Sequence, residues 1–136
     1  MRPRSGNQKL RVLHILDHSL PISDGYSFRS RNILLNQRRQ GLDPVVLTSP
    51  KHEQYSQGSL SRLDRIDGIS HYRTGRPPQP KIFPWVAEII QMVCVAQKVC
   101  SLSRALGVGI IHAHSPVLNG LPAVLAGRLL KVPVVY

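Results

Sequence analysis

The stretch "LRVLHIL", Leu10 to Leu16, is apolar at nearly every position. A strand with one wet face alternates, whereas a continuous apolar run fits a parallel strand covered on both faces. "DHSLPISDG" follows, and its Pro21 and Gly25 read as a loop. Ser27 is placed to cap a helix running to about Gln40, with Ile33 and Leu34 facing the core and Gly41 just past its end. "PVVLTS", Pro44 to Ser49, is a second strand, and proline is tolerated at a first position that need not donate to the ladder. Residues 50–68 are polar and uneven and read as an exposed excursion. "GISHYRT", Gly68 to Thr74, is a third strand, and "GRPPQPK", Gly75 to Lys81, a proline-rich connection.

From Phe83 to Leu106 apolar residues recur at helical spacing: Val86, Ile89, Ile90, Val93, Ala96, Val99 and Cys100. Gly107 stops that helix. "GIIHAH" is a fourth strand, and "NGLPAVLAGRLL" a helix with Asn119 as cap and Pro122 in its first turn. "VPVVY" is a fifth strand, in which the sequence ends, so the expectation is a piece of something longer. Strands alternating with helices imply parallel crossovers and an open α/β sheet.

Composition narrows the class. A chain of 136 residues, 42% hydrophobic, fits one domain with a real core. Cys94 and Cys100 share one apolar segment and are expected to be reduced core residues. The amino terminus lacks the pattern of a secretory signal, and no run of eighteen apolar residues predicts a transmembrane helix, so the expected compartment is the cytoplasm. Lys and Arg outnumber Asp and Glu by 18 to 7, a net charge of +11. That field attracts nucleic acid, anionic lipid or phosphorylated small molecules. A basic nucleic-acid-binding α/β module is therefore the alternative reading. Against it stand the low aromatic content of 5% and the lack of aromatic residues interleaved with basic ones.

In an open α/β sheet, ligands bind beyond the carboxyl ends of the strands, at the switch point. That rule selects Asp17 to Gly25, Ser49 to His52, and His114 to Asn119. Candidate substrate contacts are Asp24 and Gly25 in the first loop, where a helix amino terminus offers N–H groups to an anion, and Ser115, Asn119 and Gly120 in the last. His112 and His114 share one face of a strand. A metal centre would need a third ligand, for which His14, His18, Asp17 or Asp24 are present but no spacing recommends them, so no metal is expected. Neither G-x-G-x-x-G nor G-x-S-x-G occurs, which argues against a dinucleotide fold and a hydrolase elbow. His112 is expected to pack between sheet and helix. His114, at the strand's end, is expected to hydrogen-bond a substrate hydroxyl or phosphate and is the candidate catalytic residue.

The pieces "LDHSLP", "GYSFR", "LTSPKH" and "HAHSPVLNG" together resemble the amino-terminal domain of family 4 glycosyltransferases of the GT-B fold, and more narrowly the exosortase A system-associated enzymes of bacteria that make exopolysaccharide. The resemblance covers Lys9 to Tyr136 and implies a Rossmann-like parallel sheet flanked by helices, the truncated amino-terminal half of a two-domain fold. It implies a flexible basic segment over residues 1–8, a partial acceptor-side domain over 9–136, and an absent donor domain that would carry the E-x7-E carboxylates. The implied activity is metal-independent, retaining transfer from a nucleotide-sugar donor to a glycan or lipid-linked acceptor, with no cofactor and with this piece inactive alone. Gly25 matches the second glycine of the family's loop near the donor phosphates, Asp24 stands at the first, and His114 matches the histidine that contacts the transferred sugar. Such enzymes often work at the inner membrane. Arg29, Arg31, Arg38 and Arg39, with Trp85 and its apolar helix, are then expected to meet anionic lipid.

Overall fold

The structure is a computed structural model and describes residues 8–56, 61–77, 81 and 83–136. The segment 1–8, expected to be flexible, therefore lies outside the described residues except for Gln8. In chain order the elements are β1 (Arg11–Leu16), α1 (Gly25–Arg39), β2 (Asp43–Thr48), α2 (Lys51–Tyr55), β3 (Leu63–Ile66), β4 (Ile69–Arg73), α3 (Pro84–Leu106), β5 (Ile110–Ala113), α4 (Gly120–Leu130) and β6 (Val134–Val135). The strands form one sheet in the order β3-β4-β2-β1-β5-β6. Every pairing is parallel except the β3–β4 hairpin. This is the expected Rossmann-like sheet flanked by helices. After β1 the chain builds outward through β2 and β4, then returns to the other side of β1 with β5, so the switch point lies between β1 and β5.

The run of apolar residues in β1 is explained by cover on both faces. Leu13 and Ile15, with Val45 and Leu47 of β2, pack against Val95, Val99 and Leu102 of α3 and Ala123 and Ala126 of α4. Leu16 and Val46 face the other way, toward Leu34 of α1, with Ile69 beside them. Fully burying each of the larger side chains stabilises the fold by about 1.5–3 kcal/mol.

Local chemistry departs from expectation at four places. Asp24, not Ser27, caps α1: its backbone is extended, and its carboxylate accepts the Ser27 N–H at 2.8 Å. The stretch 50–68 holds α2 and β3, where no regular element was expected. Asp67 and Gly68 both adopt left-handed backbone, with φ of 52° and 74°, and turn β3 directly into β4, as two-residue hairpins require. The helical period of α3 is real, yet its amino-terminal half is uncovered. Trp85, Ile89 and Val93 stand on its open side, 59%, 46% and 50% exposed, while the buried positions are Val95, Val99, Leu102 and Ser103. By length and composition α3 is long enough and apolar enough to cross a membrane, although no uninterrupted apolar run marks it in the sequence. Cys94 and Cys100 lie on it as free, partly buried thiols. Gly127 lets β6 approach α4: a Cβ there would stand 2.3 Å from Val134 Cγ2 and 2.8 Å from the Val132 carbonyl.

Candidate functional site

The carboxyl ends of β1 and β5 lie side by side, with His14 directly opposite His112. Period-two alternation then puts His114 next to the same pair. Above them α1 contributes Tyr26, Arg29 and Ser30, and with His112, Ala113, His114 and Tyr136 these line a cavity of about 310 Å³. His112 therefore does not simply pack: it is half-buried and faces the cavity together with His114. Their rings stack with centroids 4.2 Å apart.

The cluster is a hydrogen-bonded chain. Gln37 Oε1 of α1 lies 2.8 Å from His14 Nε2, and His14 Nδ1 lies 2.9 Å from His114 Nε2. Burial pushes the His14 imidazolium down to about 4, against the opposing pull of Gln37, and His112 lowers it further. Burial, then His14, His112 and Arg29, push His114 down to about 3. Both rings are neutral at physiological pH. His14, His112 and His114 each offer a nitrogen, all within 4.8 Å of one another. Two nitrogens on one zinc stand about 3.3 Å apart, given Zn–N bonds of about 2.0–2.1 Å. The 2.9 Å between His14 and His114 is tighter than that and is a hydrogen-bond distance.

A second junction gathers the three loops at Asp17. Its carboxylate accepts the Ser115 hydroxyl at 2.6 Å and the Asn119 amide N–H at 2.9 Å. The Asp17 carbonyl accepts the Ser49 hydroxyl at 3.2 Å, and its backbone N–H donates to the Tyr26 oxygen at 3.1 Å. Ser115 and Asn119 are thus held by the protein's own carboxylate, and Asn119 is fully buried with its Oδ1 unpartnered among the described residues. Gly120 is buried too, and a Cβ there would press on the Ser115 carbonyl at 3.3 Å. Asp24 is engaged twice: besides capping α1 it sits 2.6 Å from His18 Nε2. The Ser27 N–H holds its carboxyl below the usual range. That carboxylate already occupies the helix end where an anion was expected to dock. Gly25 is exposed, with nothing within 4 Å of where a Cβ would stand. Of the six expected site residues, His114 lines the cavity. Sequence reasoning named Asp17 only as a possible third metal ligand and missed Tyr26, Arg29 and Gln37 as residues at this site.

Ser49 to His52 lead to a third buried cluster. Arg73, 3% exposed, bonds Asp64, Ser19, Thr48 and the Leu20 carbonyl. His52 Nδ1 accepts the Ser19 N–H at 3.2 Å, and burial, then the neighbouring Arg73 charge, push this histidine down to about 4.

The basic helix does not join Trp85. Leu34 of α1 packs on one side of the sheet and Val95, Val99 and Leu102 of α3 on the other. Arg31 is bonded to the Asp67 carboxylate, at 2.6 and 3.1 Å, and Arg38 to the Asp67 carbonyl.

Residues 24–136 match the sequence model of the family described as "Glycosyl transferase 4-like domain". The chain belongs to this family. No curated protein matches this glycosyl transferase 4-like domain. Among solved structures it is similar to MurG of Acinetobacter baumannii, at 18% identity and a TM-score of 0.59, over 92% of this chain and 33% of that one. It is similar to a glycosyltransferase of Rickettsia africae, at 13% identity and a TM-score of 0.55, over 94% and 29%. The C-terminal domain of the PF1911 hydrogenase from Pyrococcus furiosus shares the fold at 13% identity and a TM-score of 0.58, over 97% and 93%. Identity this low carries the fold and not the activity. The domain spans about a third of the MurG and Rickettsia chains.

Proposed function

We propose that this domain is the acceptor-side half of a retaining, metal-independent glycosyltransferase. It would serve transfer of a sugar from a nucleotide-sugar to a glycan or lipid-linked acceptor in exopolysaccharide synthesis of the exosortase-associated type. One observation carries the reading: at the switch point of a glycosyl transferase 4-like domain, His114 and Arg29 line one polar cavity of about 310 Å³. A neutral imidazole suits a sugar hydroxyl, and a guanidinium suits a phosphate or carboxylate. On this reading Asp24, Ser115 and Asn119 hold the loops, and Gly25 leaves open space for a ligand. A lipid-linked acceptor also gives a role to the exposed stripe Phe83, Trp85, Ile89 and Val93, beside Lys81, as a surface that meets an anionic bilayer at the cytoplasmic side of the inner membrane.

The test is transfer of labelled sugar from a panel of nucleotide-sugars to membrane lipid and glycan, by cells expressing the full reading frame. Loss of transfer in His114→Ala, on the order of tenfold or more with the protein still folded, supports the reading. An unchanged rate removes His114 from the chemistry. Sedimentation with vesicles tests the lipid surface: equal binding to anionic and zwitterionic vesicles sinks it.

A further inference from the structure

The Gln37–His14–His114 chain has a direction, set by the carboxamide oxygen that Gln37 turns toward His14. A carboxamide oxygen only accepts, so Gln37 Oε1 requires the proton on His14 Nε2. A neutral imidazole carries one proton, which leaves His14 Nδ1 bare. That bare nitrogen faces His114 Nε2 at 2.9 Å, so His114 Nε2 must donate. His114 Nδ1 is then left with a lone pair. It has no partner among the described residues, it is not among the buried unpartnered atoms, and its ring lines the cavity.

We infer that Gln37, two side chains away from the cavity, fixes the tautomer of His114 through His14 and so presents His114 Nδ1 to the cavity as a hydrogen-bond acceptor for a substrate hydroxyl. Gln37 and His14 are positioning residues, and neither touches substrate. The specificity that follows is chemical: a group at that spot must bring its own proton, as a sugar hydroxyl does and an ionised phosphate oxygen does not. The Arg29 guanidinium at the same cavity serves the anionic part of a ligand instead.

The inference rests on the proposed sugar site for its purpose but not for its first test. Long-range ¹H–¹⁵N correlation on the ¹⁵N-labelled 136-residue chain at neutral pH reads the tautomer of each histidine directly. The expected result is a protonated Nε2 and a bare Nδ1 on both His14 and His114. A proton on His114 Nδ1 overturns the inference without any variant being made. In Gln37→Met, which keeps the bulk and removes the oxygen, His114 should shift to a mixture of tautomers while the amide spectrum stays dispersed. An unshifted His114 overturns the relay. In the full enzyme Gln37→Met should lower kcat, by up to about tenfold for one misplaced hydrogen bond, and Gln37→Asn should not restore it, its shorter side chain falling short of His14. If the tautomers are as expected and the transfer rate is untouched by Gln37→Met, the relay stands and the sugar-site reading of His114 falls.

Discussion

The cluster around Arg73 and the cluster around His14 are both buried, polar and built from side chains distant in sequence, and they differ in closure. Every guanidinium nitrogen of Arg73 has a partner: Nε and Nη2 on Asp64, Nη1 on Ser19 and Thr48, and Nη2 also on the Leu20 carbonyl. The chain from Gln37 through His14 ends on a His114 nitrogen that faces a cavity. A closed polar cluster ties elements together, here β4 to β3, β2 and the loop after β1. An open one, held rigid up to its last atom, has a group left over for a ligand. Charge separates the two as well: the ion pair belongs to the closed cluster and the neutral rings to the open one.

If that contrast is right, breaking the closed cluster costs stability first. Asp64→Ala leaves the Arg73 charge buried with only neutral partners. It should lower the unfolding free energy by about 3 kcal/mol, the low end for a broken buried pair because Asp64 is partly solvated. Urea denaturation measures it, and a loss under about 1 kcal/mol would mean that the remaining partners suffice. Asp17→Ala comes next. It removes the carboxylate that holds Ser115 and Asn119, two hydrogen bonds to a charged group, at a cost of about 2 kcal/mol. Its mark on the open cluster should be larger than its mark on the melt, because the loop that follows His114 loosens. Sharper loss of transfer than of Tm is the expected pattern, and equal loss of both would make Asp17 purely structural.

The smallest effect near neutrality is the acid one. His52 is near 4 when folded and near 6.5 when unfolded. Between those values the unfolded chain binds more protons, so stability rises with pH across the window. The contribution is complete above about pH 6.5 and is lost as pH falls toward 4. His14, near 4, His114, near 3, and His71 and His112 are pushed in the same direction, chiefly by burial. Urea midpoints taken from pH 7.5 to 4.5 should fall below about 6.5, with a shallower fall in His52→Gln. A flat profile in the unsubstituted domain would show that these histidines, His52 included, are solvated.

Much of this frame could be read from the residue pattern. The nearly continuous apolar run of β1 announced a strand covered twice, and Gly107 announced the end of α3. The rule about strand ends pointed to the loops beside which the cavity lies, and His114 is among its lining residues. His14 was visible as a polar residue inside a strand, but its value depends on β5 lying beside β1 in one register, a tertiary fact that no local pattern encodes. Gln37 looked like one more polar position on a basic helix. The hairpin was missed for a different reason. Asp67–Gly68 is a turn pair that was available to be read, but β3 has only four residues and none of them is buried. The period of α3 was legible, but what covers each part of it was not, because periodicity reports which side of a helix is apolar and not what lies against it.

That last feature has a practical side. The chain has a single tryptophan, Trp85, and it stands on the uncovered end of α3 at 59% exposure, stacked near Phe83. Its fluorescence is a poor witness to whether the core has formed and a good one to whatever settles on that helix. A lipid surface or a neighbouring domain would shift the emission to the blue with no change in the folded state, and the bare domain would emit nearly as its unfolded chain does.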